Sequence, residues 1–247
     1  MGGDAGPSVV VSAVGRSVQR HPGVKFILHG DETALNGLLK KRLIKITHRV
    51  SVRHAEAYVR MDEKPSLALR RGRKTSMWRA IESVKNGEAE VVVSAGNTGA
   101  LMAMSMYQLG VIDGISRPAI AALWPTKRGQ CVVLDMGANV ECDADQLVDF
   151  AVMGEAFARA VLGIERPTVG LLNVGSEEVK GHDAVKGAAQ MLRDVSLPME
   201  FAGFIEGDNI AEGTVDVVVT DGFTGNIALK TADGTAKLVI FYLRSAV

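Results

Sequence analysis

The chain has 247 residues, 47% of them apolar, and its 28 Lys or Arg are balanced by 28 Asp or Glu, which is enough material to bury a sizeable core. No apolar run approaches the ~20 residues of a spanning helix, and no basic leader precedes a short apolar stretch, so the composition points to a cytosolic protein. The two cysteines, Cys131 and Cys142, lack CxxC or Cys/His spacing, which argues against a disulfide framework or a zinc site.

Taken in chain order, MGGDAGP (1–7) reads as the turn after a strand that the sequence does not contain, and a helix is expected around Val9–Gln19. VKFILHGD (Val24–Asp31) is a strand and turn; IKITHR (Ile44–Arg49) and VRHAEAY (Val52–Tyr58) are weaker strand candidates. Between Lys40 and Lys74 twelve Lys or Arg face three acidic residues. That gives a local charge of +9, densest at RRGRK (Arg70–Lys74), which suits either an acidic partner or a solvated helix face.

Four later segments repeat one pattern, a β-branched run, a glycine turn and a stretch with helical apolar spacing, the signature of βα units and a mainly parallel sheet. AEVVVS (Ala89–Ser94) leads into SAGNTGA and a helix, QCVVLD (Gln130–Asp135) into DMGANV, TVGLLNV (Thr168–Val174) into NVGSEEVKG, and TVDVVVT (Thr214–Thr220) into DGFTGN. Asp143 and Gln146 have capping-box spacing ahead of an apolar stripe of Leu147, Val148, Phe150, Ala151, Gly154, Phe157, Ala158 and Val161. FYLRSAV stops inside an apolar helical pattern, so both edges read as those of a fragment. With no long linker or short repeat, 1–247 is expected to form a single α/β domain.

In such a sheet ligands bind where the βα turns gather, at the carboxyl ends of the strands. Glycine lets backbone N–H groups approach an anion, and the following helix adds its positive end. Phosphate is therefore the expected guest. The GxSxG elbow, the P-loop, the GxGxxG fingerprint and the HExxH helix are all missing. An enzyme in which phosphate itself attacks an acyl carbonyl needs only a phosphate cradle, a cation and donors for the developing oxyanion. SAGNTG is the candidate cradle, Lys180 the cation, and Asn226 with neighbouring backbone N–H groups the oxyanion donor.

MGGDAGP, SAGNTGALM, ISRPAIA, LDMGANV, LLNVGSEEVKG and VVVTDGFTGN, in this order from Met1 to about Ala228, resemble the phosphate acyltransferase PlsX family of bacterial phospholipid synthesis. The resemblance implies a Rossmann-like α/β/α sandwich related to phosphotransacetylases and isopropylmalate dehydrogenase-like folds. It implies transfer of an acyl group from acyl-acyl carrier protein to inorganic phosphate, in a cytoplasmic homodimer in peripheral contact with the inner membrane. No metal, cofactor or nucleic acid is implied. Residue by residue, Lys180, Asn226 and Asp221 match catalytic positions. Gly2, Gly3 and Asp4, with Ser94, Gly96, Asn97, Thr98 and Gly99, match phosphate-side loops. Arg70, Arg71, Arg73 and Lys74 become the candidate dock for the acidic carrier protein. The family's first strand and a C-terminal segment beyond Val247 have no counterpart in this sequence.

Other readings stand beside these. Lys180 can pair with Glu177 or Glu178, and Asp221 and Asn226 can be turn and helix-cap residues. Met102, Met104 and Met106 can line an acyl tunnel or fill a core. Cys142 as an acyl acceptor, and His54 or His182 as titrating groups, compete with ordinary structural roles. A phosphotransacetylase-like enzyme using acyl-CoA is the alternative function; an NAD-dependent dehydrogenase and a non-catalytic scaffold are more distant ones.

Overall fold

A computed structural model describes residues 1–41 and 49–245, and the chain forms two compact units, Met1–Val111 and Ile112–Val247. In the first, α1 (Pro7–Arg20) opens with a proline, which is tolerated there because a first-turn N–H has no helical acceptor. β1 (Phe26–Gly30) and β2 (Val50–His54) pair in parallel, Phe26 opposite Val50, with α2 (Glu32–Lys41) in the crossover between them. Val11 and Val14 of α1, Leu28, Leu35, Leu39 and Val50 close a core around this βαβ turn. The VRHAEAY candidate is thus realised only at its start, as part of β2, and IKITHR lies almost wholly outside the described residues.

The rest of this unit is helical. α3 (Pro65–Arg71), a 3₁₀ turn (Gly72–Lys74), α4 (Ser76–Lys85) and α5 (Thr98–Leu109) pack Ala68, Met77, Trp78, Ile81, Ala100 and Met104 with Val59. Met104 is fully buried in that cluster and acts as core filler. The expected strand Ala89–Ser94 does not form: Val91 is 73% and Val93 90% exposed, and no ladder partner is present among the described residues. β-branched content expresses a preference for a pleated, paired surface, and without a neighbouring strand that preference has nothing to act on.

The second unit carries a five-stranded sheet in the order β3-β4-β7-β5-β6. These strands are β3 (Ala122–Thr126), β4 (Gly129–Leu134), β5 (Thr168–Leu172), β6 (Glu200–Ile205) and β7 (Val217–Val219). Only β3 runs antiparallel, against β4; every other pairing is parallel. α6 (Ala144–Phe157), continued by a π-helical turn (Ala158–Leu162), and α7 (Asp183–Asp194) cover one face. α8 (Gly207–Glu212) lies on the other, and α9 (Gly222–Ser245) follows β7. The pleat sorts alternate residues between the faces: Val132, Leu134, Val217 and Val219 join Leu147, Phe150, Ala188 and Leu192, whereas Cys131, Val133 and Val218 join Ile205, Ile210 and Val215. Burial on both faces explains why these strands read as continuous apolar runs.

The α/β sandwich with a mainly parallel sheet is as expected, with two differences. β3 and β6 escape the pattern because they are edge strands. β3 even carries Pro125, which a central strand would not accept. The four glycine turns also do not share one sheet: three follow β4, β5 and β7, while SAGNTGA belongs to the first unit. Val161, placed on the α6 stripe by spacing, is exposed in the π-helical turn, where the 3.6-residue period no longer holds. Among the described residues no helix is long and apolar enough to cross a membrane.

The capping box is present in full: Asp143 accepts from the Gln146 N–H at 2.9 Å, and Gln146 accepts from the Asp143 N–H at 3.1 Å. Asp143→Ala should lower stability by about 1 kcal/mol, read as a lower urea midpoint with an unchanged slope.

Candidate active site

β4 is followed directly by Asp135, whose carboxylate is fully buried. Its Oδ1 accepts from the N–H groups of Ile120, Gly137 and Ala138 at 3.0 to 3.1 Å. Oδ2 accepts from the Asn139 N–H at 2.7 Å and from Asn139 Nδ2 at 2.8 Å. Five donors offset the loss of water around one negative charge. Asn139 Nδ2 also reaches the Pro118 carbonyl at 2.9 Å, and the Gly222 N–H donates to the Asn139 carbonyl at 2.7 Å. The Asp135 side chain thus ties ISRPAIA to DMGANV, and the Asn139 carbonyl ties DGFTGN to both. A Cβ on Gly225 would run into the Asp135 carbonyl, so the start of α9 can sit this close only with glycine there.

Asn226, one turn into α9, holds its Nδ2 3.4 Å from the Met136 carbonyl and lies over Gly137, whose φ of +129° places no side chain in its way. Asp221 caps this helix: Oδ1 accepts from the Thr224 N–H at 2.8 Å and Oδ2 from the Thr224 hydroxyl at 2.9 Å. Its two oxygens are thereby engaged in holding the helix start.

Lys180 sits on the loop after β5, which is closed by Asn173 Nδ2 donating to the carbonyls of Gly175 and Lys180, both at 3.1 Å. Its Nζ is 2.7 Å from Glu177 Oε1 and the side chain is half exposed, while Glu178 pairs with Arg193 instead. The hydrogen bond and charge of Glu177 hold the Lys180 ammonium above its ordinary pKa. It therefore stays cationic at any physiological pH. Because β7 and β5 are neighbours, the loops bearing Asn226 and Lys180 leave adjacent strand ends.

In the first unit the two expected phosphate-side loops meet. The backbone of Gly3 packs so closely on Ala95 that a Cβ would lie 2.5 Å from its carbonyl oxygen, and the Gly96 N–H donates to Ser94 Oγ at 3.1 Å. Ser94, Thr98, Gly99 and Asp4 are exposed. Asn97 is buried and committed to the scaffold. Its Oδ1 caps α5 at the Ala100 N–H, and its Nδ2 faces the carbonyls of Arg60, Met61 and Glu63 at 2.9 to 3.2 Å. The exposed N-terminal turn of α5 is what remains for an anion. Arg70, Arg71, Arg73 and Lys74 form one exposed basic surface across α3 and the 3₁₀ turn, with Lys74 paired to Glu56 at 2.8 Å.

Cys142 lies beneath the Asn139 carbonyl, and burial, then the nearby Asp135, Asp221 and Asp143, push its thiol up to about 11. This is the opposite of an activated nucleophile. Asp135 and Asn139 were absent from the expected site residues, although an Asp closing an apolar strand with an Asn four residues on was visible in the sequence.

A family model described as "Fatty acid synthesis protein" matches residues 1–247. The phosphate acyltransferase of Parvibaculum lavamentivorans is 58% identical over 249 residues, which span all of this chain and 68% of that protein. That of Paramagnetospirillum magneticum is 56% identical over 244 residues, 99% of this chain and 69% of that one. Among solved structures, the EutD phosphotransacetylase from Staphylococcus aureus shares the fold with a TM-score of 0.66 at 21% identity, covering 94% of this chain and 80% of that one. A branched-chain phosphotransacylase from Enterococcus faecalis does so with a TM-score of 0.51 at 16% identity, over 83% and 82% of the two chains.

Two outcomes follow from this geometry. Asp135→Asn puts an amide where two donors expect an acceptor, and should cost about 2 to 4 kcal/mol in denaturant unfolding. Iodoacetamide at pH 7.5 should label Cys142 far more slowly than an exposed thiol, since roughly one molecule in several thousand carries the thiolate; rapid labelling would contradict the burial described.

Proposed function

The chain belongs to the phosphate acyltransferase PlsX family of fatty acid synthesis proteins and is an acyltransferase, and on that premise we propose that it moves a fatty acyl group from acyl-acyl carrier protein to inorganic phosphate, giving acyl phosphate for phospholipid synthesis. The reading is carried by the pairing of Lys180 and Asn226 on loops that leave neighbouring strands β5 and β7.

The chemistry asks little of the protein beyond placement. A phosphate oxygen attacks the thioester carbonyl, the C–O bond forms, and a tetrahedral oxyanion develops. Its collapse breaks the C–S bond and releases the carrier's thiolate, which takes a proton from water. Lys180 draws the dianion in, and Glu177 is the anion it holds until phosphate replaces it. Asn226, positioned over Gly137, donates to the oxyanion, where a fixed dipole is worth more than mobile water. Asp221 serves by holding the first turn of α9, and with it Asn226, in place. Within the first unit, the glycine loops at Gly2, Gly3 and Asp4 and at Ser94 to Gly99 bind phosphate, with Asn97 acting through its cap rather than its amide.

The basic surface of Arg70, Arg71, Arg73 and Lys74 receives the acidic carrier protein. Residues 1–247 act as one functional domain in a cytoplasmic homodimer that touches the inner membrane peripherally. The exposed apolar run Leu238–Leu243 on α9 supports such an association.

Lys180→Ala should lower kcat by about 10²-fold or more with the thermal midpoint within a few degrees of wild type. Retained turnover would remove Lys180 from the mechanism. With acyl-carrier protein and acyl-CoA competing as donors, the carrier form should dominate the product; a preference for CoA would reassign the donor.

A further inference from the structure

Beside the basic surface, α4 and the end of α5 enclose a groove of about 490 Å³ lined by Arg73, Trp78, Arg79, Lys85, Tyr107 and Gln108, with Glu82 and Asn86 completing it. Its floor is aromatic and rigid. The Trp78 ring is nearly buried against Met104 and the backbone of Gly72, where a Cβ would lie 2.6 Å from the indole. The backbone N–H of Trp78 donates to the Thr75 hydroxyl at 3.3 Å, and its backbone carbonyl accepts from Gln108 Nε2 at 3.2 Å. Tyr107 stacks on it at a tilt, with centroids 5.6 Å apart, and is 63% exposed. The rim is cationic: Arg73 and Lys85 have no carboxylate partner among the described residues, and only Arg79 has one, Glu82 at 2.8 Å. An aromatic floor inside an Arg and Lys rim is the composition of a binding hot spot, in which one apolar anchor is desolvated and charges surround it.

The occupant follows from how the charges are spread. A compact polyphosphate seeks one concentrated cradle, a helix N-terminus or a glycine nest. This groove instead runs the length of α4, from Trp78 and Arg79 in its first turn to Lys85 and the Asn86 cap, beside Tyr107 and Gln108 at the end of α5, and its cations are spaced along it rather than gathered at one point. Carboxylates spread along a partner helix match that spacing and meet Arg73, Arg79 and Lys85.

We infer that this groove is a docking site for an acidic amphipathic helix that lays one apolar side chain on Trp78 and Tyr107 and flanks it with carboxylates. Resting on the function proposed above, the partner is the acyl-bearing carrier protein, and the groove extends its contact from Arg70–Lys74 onto α4 and α5. Its role is recognition, so it contributes to donor binding and leaves the chemical step alone.

Steady-state kinetics of the whole protein with three donors, acyl-carrier protein, acyl-CoA and a short acyl-pantetheine thioester, test this. Lys85→Glu and Tyr107→Ala change exposed side chains, and circular dichroism confirms their fold. Each should raise KM for acyl-carrier protein about tenfold or more and leave kcat and both small donors within about twofold, while added salt should raise the wild-type KM for the carrier donor. Unchanged KM for the carrier donor in both variants overturns the groove while leaving the proposed function standing. A wild type that turns over acyl-CoA but not the carrier donor overturns both. A KM for acyl-CoA that rises in step in the variants makes the groove a nucleotide seat and overturns the helix assignment.

Discussion

The Asp135 carboxylate is the constraint on which the loop geometry of the second unit rests. A charge removed from water has to be met by donors, and this one is met by backbone and amide N–H groups from the segments around Ile120 and Asp135 to Asn139. Meeting it forces those segments together, and the Asn139 carbonyl then fixes Gly222 and the start of α9. Asn226 inherits its position from that chain of contacts. In the proposed reaction an amide that donates to a developing oxyanion is useful only if it does not have to move, and the buried charge supplies that rigidity from outside the reaction.

Lys180 follows a different logic. Its loop is closed by Asn173 rather than by packing, it is half exposed, and it keeps its proton because Glu177 lies against it. An exposed ion pair of this kind contributes little to stability. In the proposed reaction its value is as an exchangeable partner: one carboxylate oxygen can be given up for a phosphate oxygen without uncovering a buried charge. The proposed site thus combines a fixed donor with a replaceable anion partner, and each is produced by its own local structure.

Much of this was legible in the sequence wherever a local signal and a tertiary requirement agree. β4, β5 and β7 are central and buried on both faces, so their apolar runs are continuous; the Asp143 and Gln146 pair marked the start of α6 because a capping box is a contact across three residues. Ala89–Ser94 shows the reverse case, since three consecutive valines do not make a strand without a neighbour. β3 and β6 were hidden because edge strands need fewer apolar positions, and Pro125 argues against a strand unless its place at the edge is known. The roles of Asp135 and Asp221 depend on which loops a carboxylate reaches, and one-dimensional spacing does not carry that. Lys180 could be assigned to either Glu177 or Glu178 from sequence; the reach of Arg193 to Glu178 decides it.

The sheet order bears on how this unit is made. β7 lies between β4 and β5, with Val132 opposite Val217 and Val169 also opposite Val217, yet it leaves the ribosome after both of them and after β6. Until then β4 and β5 have no shared neighbour, and two of the most apolar stretches of the chain wait with open edges. Parallel pairings across such sequence distances close slowly, and the waiting strands are exposed to the wrong partners in the meantime. A pause or truncation before residue 217 would leave a nascent chain with a gap at the centre of its sheet, which makes the interval between β5 and β7 the step at which aggregation and chaperone dependence concentrate.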